Sequence, residues 1–216
     1  MLITKSLNYL SVAVAALLIF LSIAIPKNAA VPIQAIPLYP IPQIEHLSLG
    51  YNENLADMFW LRAIQDFDLC EKKIFQDRCQ PKGWLYQMLL AITKLSPEFK
   101  MPMLTGPVMM SVVVGDIEGA SELFDYAVKQ FPKDWSIAYR AGYHALYEEK
   151  NNEKAAKLME QAARNGAPSW VYNLATRLYT KAGEKELALR LYSELKASGN
   201  FDSKLLSEIQ KRLGIE

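Results

Sequence analysis

The feature that most constrains this chain is an internal period. The segment GDIEGASELFDYAVKQFP places Ala120, Phe124 and Ala127 at intervals of four and three residues and stops at Pro132. Ala155, Met159 and Ala162 repeat the spacing before Pro168, and Ala188, Tyr192 and Leu195 repeat it again. Residues spaced by four and then three share one helical face. The alanines Ala120, Ala155 and Ala188 stand 35 and 33 residues apart, so each interval holds about two helices and a turn. Leu85, Leu89, Ile92 and Pro97 carry the same pattern with bulkier side chains, which makes four units. An apolar helical face that recurs in this way is buried by stacking unit on unit.

Turn residues fall where the pattern requires them. Gly115–Asp116, Asn151–Asn152 and Gly183–Glu184 separate the two helices of units two, three and four. Such residues accept tight turns and cap the helix that follows. The first helix of unit three carries Ala138, Ala141, Gly142 and Ala145, and that of unit four Ala175, which lets paired helices approach closely. The fold class expected is all-α. Asp202 to Leu213, with Leu205, Leu206, Ile209 and Leu213 on one face, is expected to close the array at 201–216.

On these residues the chain resembles the tetratricopeptide repeat family, whose period is about 34 residues. The likeness covers 98–132, 133–168 and 169–200 as regular units and 52–97 as a divergent first unit. It implies a right-handed solenoid of helical hairpins with a concave face lined by the first helix of each unit. The block ADMFWLRAIQDF, Ala56–Phe67, resembles a block that follows an N-terminal hydrophobic segment in bacterial envelope repeat proteins.

Ahead of the repeats lie 19 uncharged residues, Leu7–Ile25, bracketed by Lys5 and Lys27. About 20 apolar residues cross a bilayer, whereas a cleaved signal has a shorter apolar core of about 7–15 residues. Residues 1–25 are therefore read as a signal-anchor helix, with a cleaved signal peptide as the alternative. The short N-terminal tail is expected to stay cytoplasmic, placing the C-terminal domain in the periplasm. Cys70 and Cys79 lie in a loop between two helical segments and are either unrelated thiols or a local disulfide, which would require an oxidising compartment.

Residues 26–51 read as a proline-rich linker, with Pro at 26, 32, 37, 40 and 42. Repeated proline predicts an extended, polyproline-like path. Its side chains Ile33, Ile36, Leu38, Tyr39 and Ile41 are apolar, unlike those of a solvated tether. The segment either wraps on its own domain or docks on a partner or the membrane surface. In MPMLTGPVMMSVVVG, residues 101–115, the first regular turn is expected near Pro107, where proline is tolerated.

Charge is balanced, 24 Lys and Arg against 23 Asp and Glu, without the basic stripe of a nucleic-acid binder. His46 and His144 have no Ser, Cys or carboxylate partner at a motif spacing, and the glycines form no phosphate-binding run. No catalytic residue, metal site, cofactor or small-molecule substrate is expected. Binding is. Tyr139, Tyr143 and Tyr147 form one aromatic stripe at i, i+4 and i+8, and Asn173 and Arg177 lie on the equivalent helix of unit four. The tyrosines either pack between repeats or face a groove, where Tyr and Arg are characteristic anchors. The function expected is that of a non-enzymatic, membrane-anchored adaptor that binds a protein partner. The alternative is a structural accessory subunit of an inner-membrane complex, held through the membrane helix and linker.

Overall fold

In the computed structural model the described residues are 37–199 and 201–215, with Val14, Ala15 and Leu17 described individually as helical. The chain divides into two units, Met1–Ile36 and Pro37–Glu216. The expected membrane span at 7–25 lies outside the described residues except at those three positions, as do Ile33 and Ile36. Among the described residues no helix is long and apolar enough to cross a membrane.

The second unit is all-helical, with no strand among the described residues. Its nine longer helices are α1 Asn52–Asp66, α2 Trp84–Leu95, α3 Lys100–Met109, α4 Ile117–Gln130, α5 Trp135–Tyr147, α6 Asn152–Arg164, α7 Trp170–Lys181, α8 Lys185–Ser198 and α9 Ser203–Leu213. They pair in sequence order as α1–α2, α3–α4, α5–α6 and α7–α8, and α4 also packs on α5 and α6 on α7. The result is solenoid-like, each hairpin meeting its neighbours in the chain. Helix α9 rests on α7 and α8, burying Ile209 and Leu213 beneath a solvent-exposed face that includes Lys204, Ser207 and Lys211.

The periodic positions are the packed ones. Ala120, Ala155 and Ala188 are fully buried, and Phe124, Met159, Ala127 and Ala162 are nearly or fully so. Two of the three expected turns are closed by side chains: Asp116 accepts from the Gly119 N–H at 3.0 Å and Asn151 from the Lys154 N–H at 2.9 Å, whereas Glu184 at the third makes no side-chain cap bond. Each bond satisfies one of the N–H groups left open at a helix start. Gly115, at φ 78°, ends the preceding helix in the left-handed region that favours glycine.

Helix α3 begins at Lys100, seven residues before the expected start at Pro107. Pro102 falls in its first turn, where the missing N–H has no partner to lose. Pro107 lies inside the helix and removes the donor that Met103 would otherwise accept. Three residues later the winding widens to a π-helical stretch, Met110–Val114. Gly106 lets α3 meet α2 closely, since a Cβ there would stand 2.6 Å from a Leu89 methyl.

The linker departs from an extended path. Ile44–Leu47 forms a helical turn, and Ile44 is buried. The segment before it is fixed to the domain: the Trp84 indole N–H donates to the Leu38 carbonyl at 2.9 Å, and the Tyr39 hydroxyl to the Arg78 carbonyl at 2.7 Å. The backbone is thus held while Leu38, Tyr39 and Ile41 keep about half of their surface in solvent. Cys70 and Cys79 are joined by a disulfide with Cα atoms 5.6 Å apart, closing the long α1–α2 loop.

Candidate functional site

The site is built on α5. Asp134 precedes it and accepts from the N–H groups of Ser136 (2.9 Å) and Ile137 (3.2 Å), as well as from the Ser136 hydroxyl at 2.6 Å. Lys100, at the start of α3, forms an ion pair with the same carboxylate. Burial would push the Asp134 carboxyl up, but these donors outweigh it and hold its pKa down to about 2. The cap therefore ties the start of α5 to α3 and fixes where Trp135, the first helical residue, projects.

Along one face of α5 stand Trp135, Tyr139, Arg140 and Tyr143, with Trp170 of α7 opposite and Val108 of α3 and Pro168 at the margins. Together they line an open groove of about 490 Å³. Tyr139 meets Trp170 edge-on, with ring centroids 5.8 Å apart and planes at 89°, an arrangement favoured by the ring quadrupoles. Tyr143 stacks on Tyr147 at 4.3 Å. Trp170, Tyr143 and Trp135 remain substantially exposed. Such rings offer large apolar area at little rotamer entropy, the property that makes Trp and Tyr effective anchors at interfaces.

A second depression of about 260 Å³ shares Trp170 and continues along α7 past Asn173, Leu174 and Arg177 to Arg212 of α9. The structure separates the residues expected to act together here. Tyr139 and Tyr143 line the main groove, Tyr147 contacts Tyr143 one turn further along the helix, and Arg177 lines the second depression. Asn173 is already engaged. Its amide N–H donates to Glu208 at 2.9 Å, and its side-chain and backbone carbonyls accept from Arg212. These bonds fasten α9 to α7. Arg140 and Arg177 are exposed, and among the described residues neither forms an ion pair.

Trp135, Arg140 and Trp170 are absent from the residues expected from sequence. A signal existed for the tryptophans: each is the first residue of its helix, and they stand 35 residues apart, the repeat interval. An aromatic repeated at a position that the hairpin does not bury marks the open face.

His144 acquires partners that no local spacing suggests. Its Nδ1 lies 3.0 Å from the Ser111 hydroxyl of the π-helical stretch and its Nε2 2.9 Å from the Ser121 hydroxyl of α4. Ser121 donates to the Ile117 carbonyl at 2.8 Å. Glu149 Oε1 also stands 3.7 Å from Nε2. Burial lowers the imidazole pKa against the opposing pull of Glu149 and Glu148. This triad spans three helices behind the groove. Among the described residues no cluster of three or more His, Cys, Asp or Glu side chains is arranged to hold a metal ion. No protein-family model matches the chain, and no match was found among curated proteins.

Proposed function

We propose that this protein is a membrane-anchored adaptor of the tetratricopeptide type, displaying the α5–α7 groove to a protein partner in the periplasm. The observation that carries the reading is the groove itself: four aromatic side chains from two successive hairpins and an exposed arginine, on one open face. A partner segment laid across it would bury rings that the fold leaves in water, with Arg140 and Arg177 fixing register through carboxylates or carbonyl groups. Several further features support the reading. The repeat interval and the order of packing are those of helical-hairpin arrays, the Cys70–Cys79 bond suits an oxidising compartment, and Leu7–Ile25 has the length of a membrane span.

The test is affinity purification of the full chain from mild detergent, followed by identification of what co-purifies. Trp170→Ala and Tyr143→Ala are expected to release a partner that the wild-type chain retains. A partner retained by both variants but lost when residues 1–25 are replaced by an unrelated membrane helix would instead make the chain a structural subunit of a membrane complex.

A further inference from the structure

The groove on α5 and the depression along α7 meet at Trp170 and form one trough with a marked chemical bias. Its aromatic lining is Trp135, Tyr139, Tyr143 and Trp170. Its charges are Arg140 in the groove and Arg177 with Arg212 in the depression, and among the described residues that line the two none is acidic. Glu208 stands beside the depression, bonded to the Asn173 amide at 2.9 Å. Glu148 lies on the α3 side, in a small recess that shares Val108, Arg140 and Tyr143 with the groove. Indole N–H and guanidinium groups donate hydrogen bonds and accept none. The trough is therefore rich in donors and poor in acceptors.

A ligand suited to such a surface supplies acceptors and has few donors of its own to satisfy. An ordinary extended peptide fails that condition, because each residue carries an N–H for every carbonyl. A glycan fails it too, since every sugar hydroxyl donates as well as accepts. A run of prolines meets it: the backbone keeps its carbonyls and loses its N–H groups. In the polyproline II form those carbonyls have no internal partner, and the pyrrolidine rings lie well against tryptophan and tyrosine. Aromatic-lined grooves take proline-rich segments in this way, at low entropic cost because the ligand is already extended. The three arginines add a second requirement, for negative charge on the ligand near α9. Glu148 at the α3 side opposes the reverse placement.

We propose that the trough holds an extended, proline-rich segment of the partner protein, with its prolines across the four aromatic rings and an acidic stretch beside Arg177 and Arg212. The inference rests on the reading of this groove as the docking face of the adaptor. Arg140 donates to the carbonyl groups of the proline run, and Arg177 and Arg212 pair with the carboxylates.

The test uses the full chain in mild detergent and the fluorescein-labelled peptides Pro-Pro-Pro-Pro-Pro-Glu-Glu-Glu and Glu-Glu-Glu-Pro-Pro-Pro-Pro-Pro, which cover both chain directions, with anisotropy as the readout. Both are amidated at the C-terminus, so any charge dependence belongs to the side chains. Saturable binding is expected for at least one of them, and Trp170→Ala should weaken it by about tenfold or more. Replacing the prolines of that peptide by alanine should cost a similar factor, and replacing its glutamates by lysine should abolish binding. Arg177→Glu should bind the glutamate peptide less, and the lysine peptide more, than the wild type does, a gain that misfolding cannot produce. Proline and alanine peptides that bind equally overturn the proposal, as does an unchanged charge preference in Arg177→Glu. An oligomer of N-acetylglucosamine that binds through Trp170 when neither proline peptide does assigns the trough to a glycan and also overturns it. If neither peptide binds but Trp170→Ala still releases the co-purifying partner, this inference fails and the adaptor reading stands. If Trp170→Ala releases nothing as well, both fall.

Discussion

The first two hairpins and the last two fill their cores by opposite means. Around α2 and α3 the interior is made of bulk: Trp84, Leu85, Met88, Leu89, Ile92, Met103 and Met110 are all at most 1% exposed. From α5 onward it is made of closeness. Ala138, Ala141, Ala145, Ala155, Ala156, Ala162, Ala163, Ala175 and Ala188 are buried, and Gly142 sits against Met159 and Leu158, where a Cβ would lie 3.1 and 3.2 Å from them. Large side chains hold helices apart and tolerate an irregular path, such as the Pro107 helix with its π-helical end. Small ones bring backbones together and leave little freedom. The regular half also carries most of the groove.

That contrast can be broken. The largest effect is expected from Trp84→Ala, which empties the most voluminous fully buried position and removes the indole bond to the Leu38 carbonyl. A loss of about 3–5 kcal/mol is expected for such a truncation. Because stacked hairpins depend chiefly on their neighbours, hydrogen exchange should show faster exchange in α1 and α2 while α7 and α8 keep their protection. Uniform loss of protection along the chain would mean that the two cores form one cooperative unit.

The converse substitution is Ala155→Leu, which forces bulk into the close-packed half. Overpacking of this kind costs about 1–3 kcal/mol, and the midpoint of denaturant unfolding should fall accordingly. The same change in the bulky half, at Ala91, should be borne with a smaller shift, since that position is partly open at 7% exposure. Equal shifts at the two sites would mean that the two cores tolerate added bulk alike.

The smallest effect is expected at the joint between the halves, where His144 bridges Ser111 and Ser121. Its folded pKa lies below the ordinary value of 6.5 through burial. The unfolded chain therefore takes up a proton first as pH falls, and stability declines below about 6.5 until the folded pKa is passed. Glu149, Glu148 and Lys154 are the charged groups facing the ring, and the carboxylates limit the decline. Thermal unfolding followed from pH 8 to 5 should show this loss in the wild type and not in His144→Gln. The Asp134 cap occupies a separate window: its stabilisation is complete above its ordinary value of 3.8 and is lost as pH falls toward about 2.

How far the site can be read in advance depends on the reach of each interaction. The tyrosine stripe follows from intervals of four residues on one helix, and Tyr139 and Tyr143 do line the groove. Asn173 lies on the equivalent helix one unit later and looks equally available. Its amide bonds to Glu208 and Arg212, 35 and 39 residues further on, and no periodicity announces a bond between a repeat and its cap. His144 is the same lesson in the interior, since its serines stand 33 and 23 residues away on two other helices.

By itself the sequence determined the repeating helices, two of their capped turns and the recurring positions that they bury. These follow from the 3.6-residue period, from caps such as Asp116 and Asn151, and from small residues where helices must approach. Tertiary structure alone decided what the remaining faces do. It set Trp135 and Trp170 across one groove, bonded Asn173 to the terminal helix and laid α9 over α7 and α8. The reason is one of range: helical geometry relates residues within a few turns, whereas exposure depends on which hairpin stacks next.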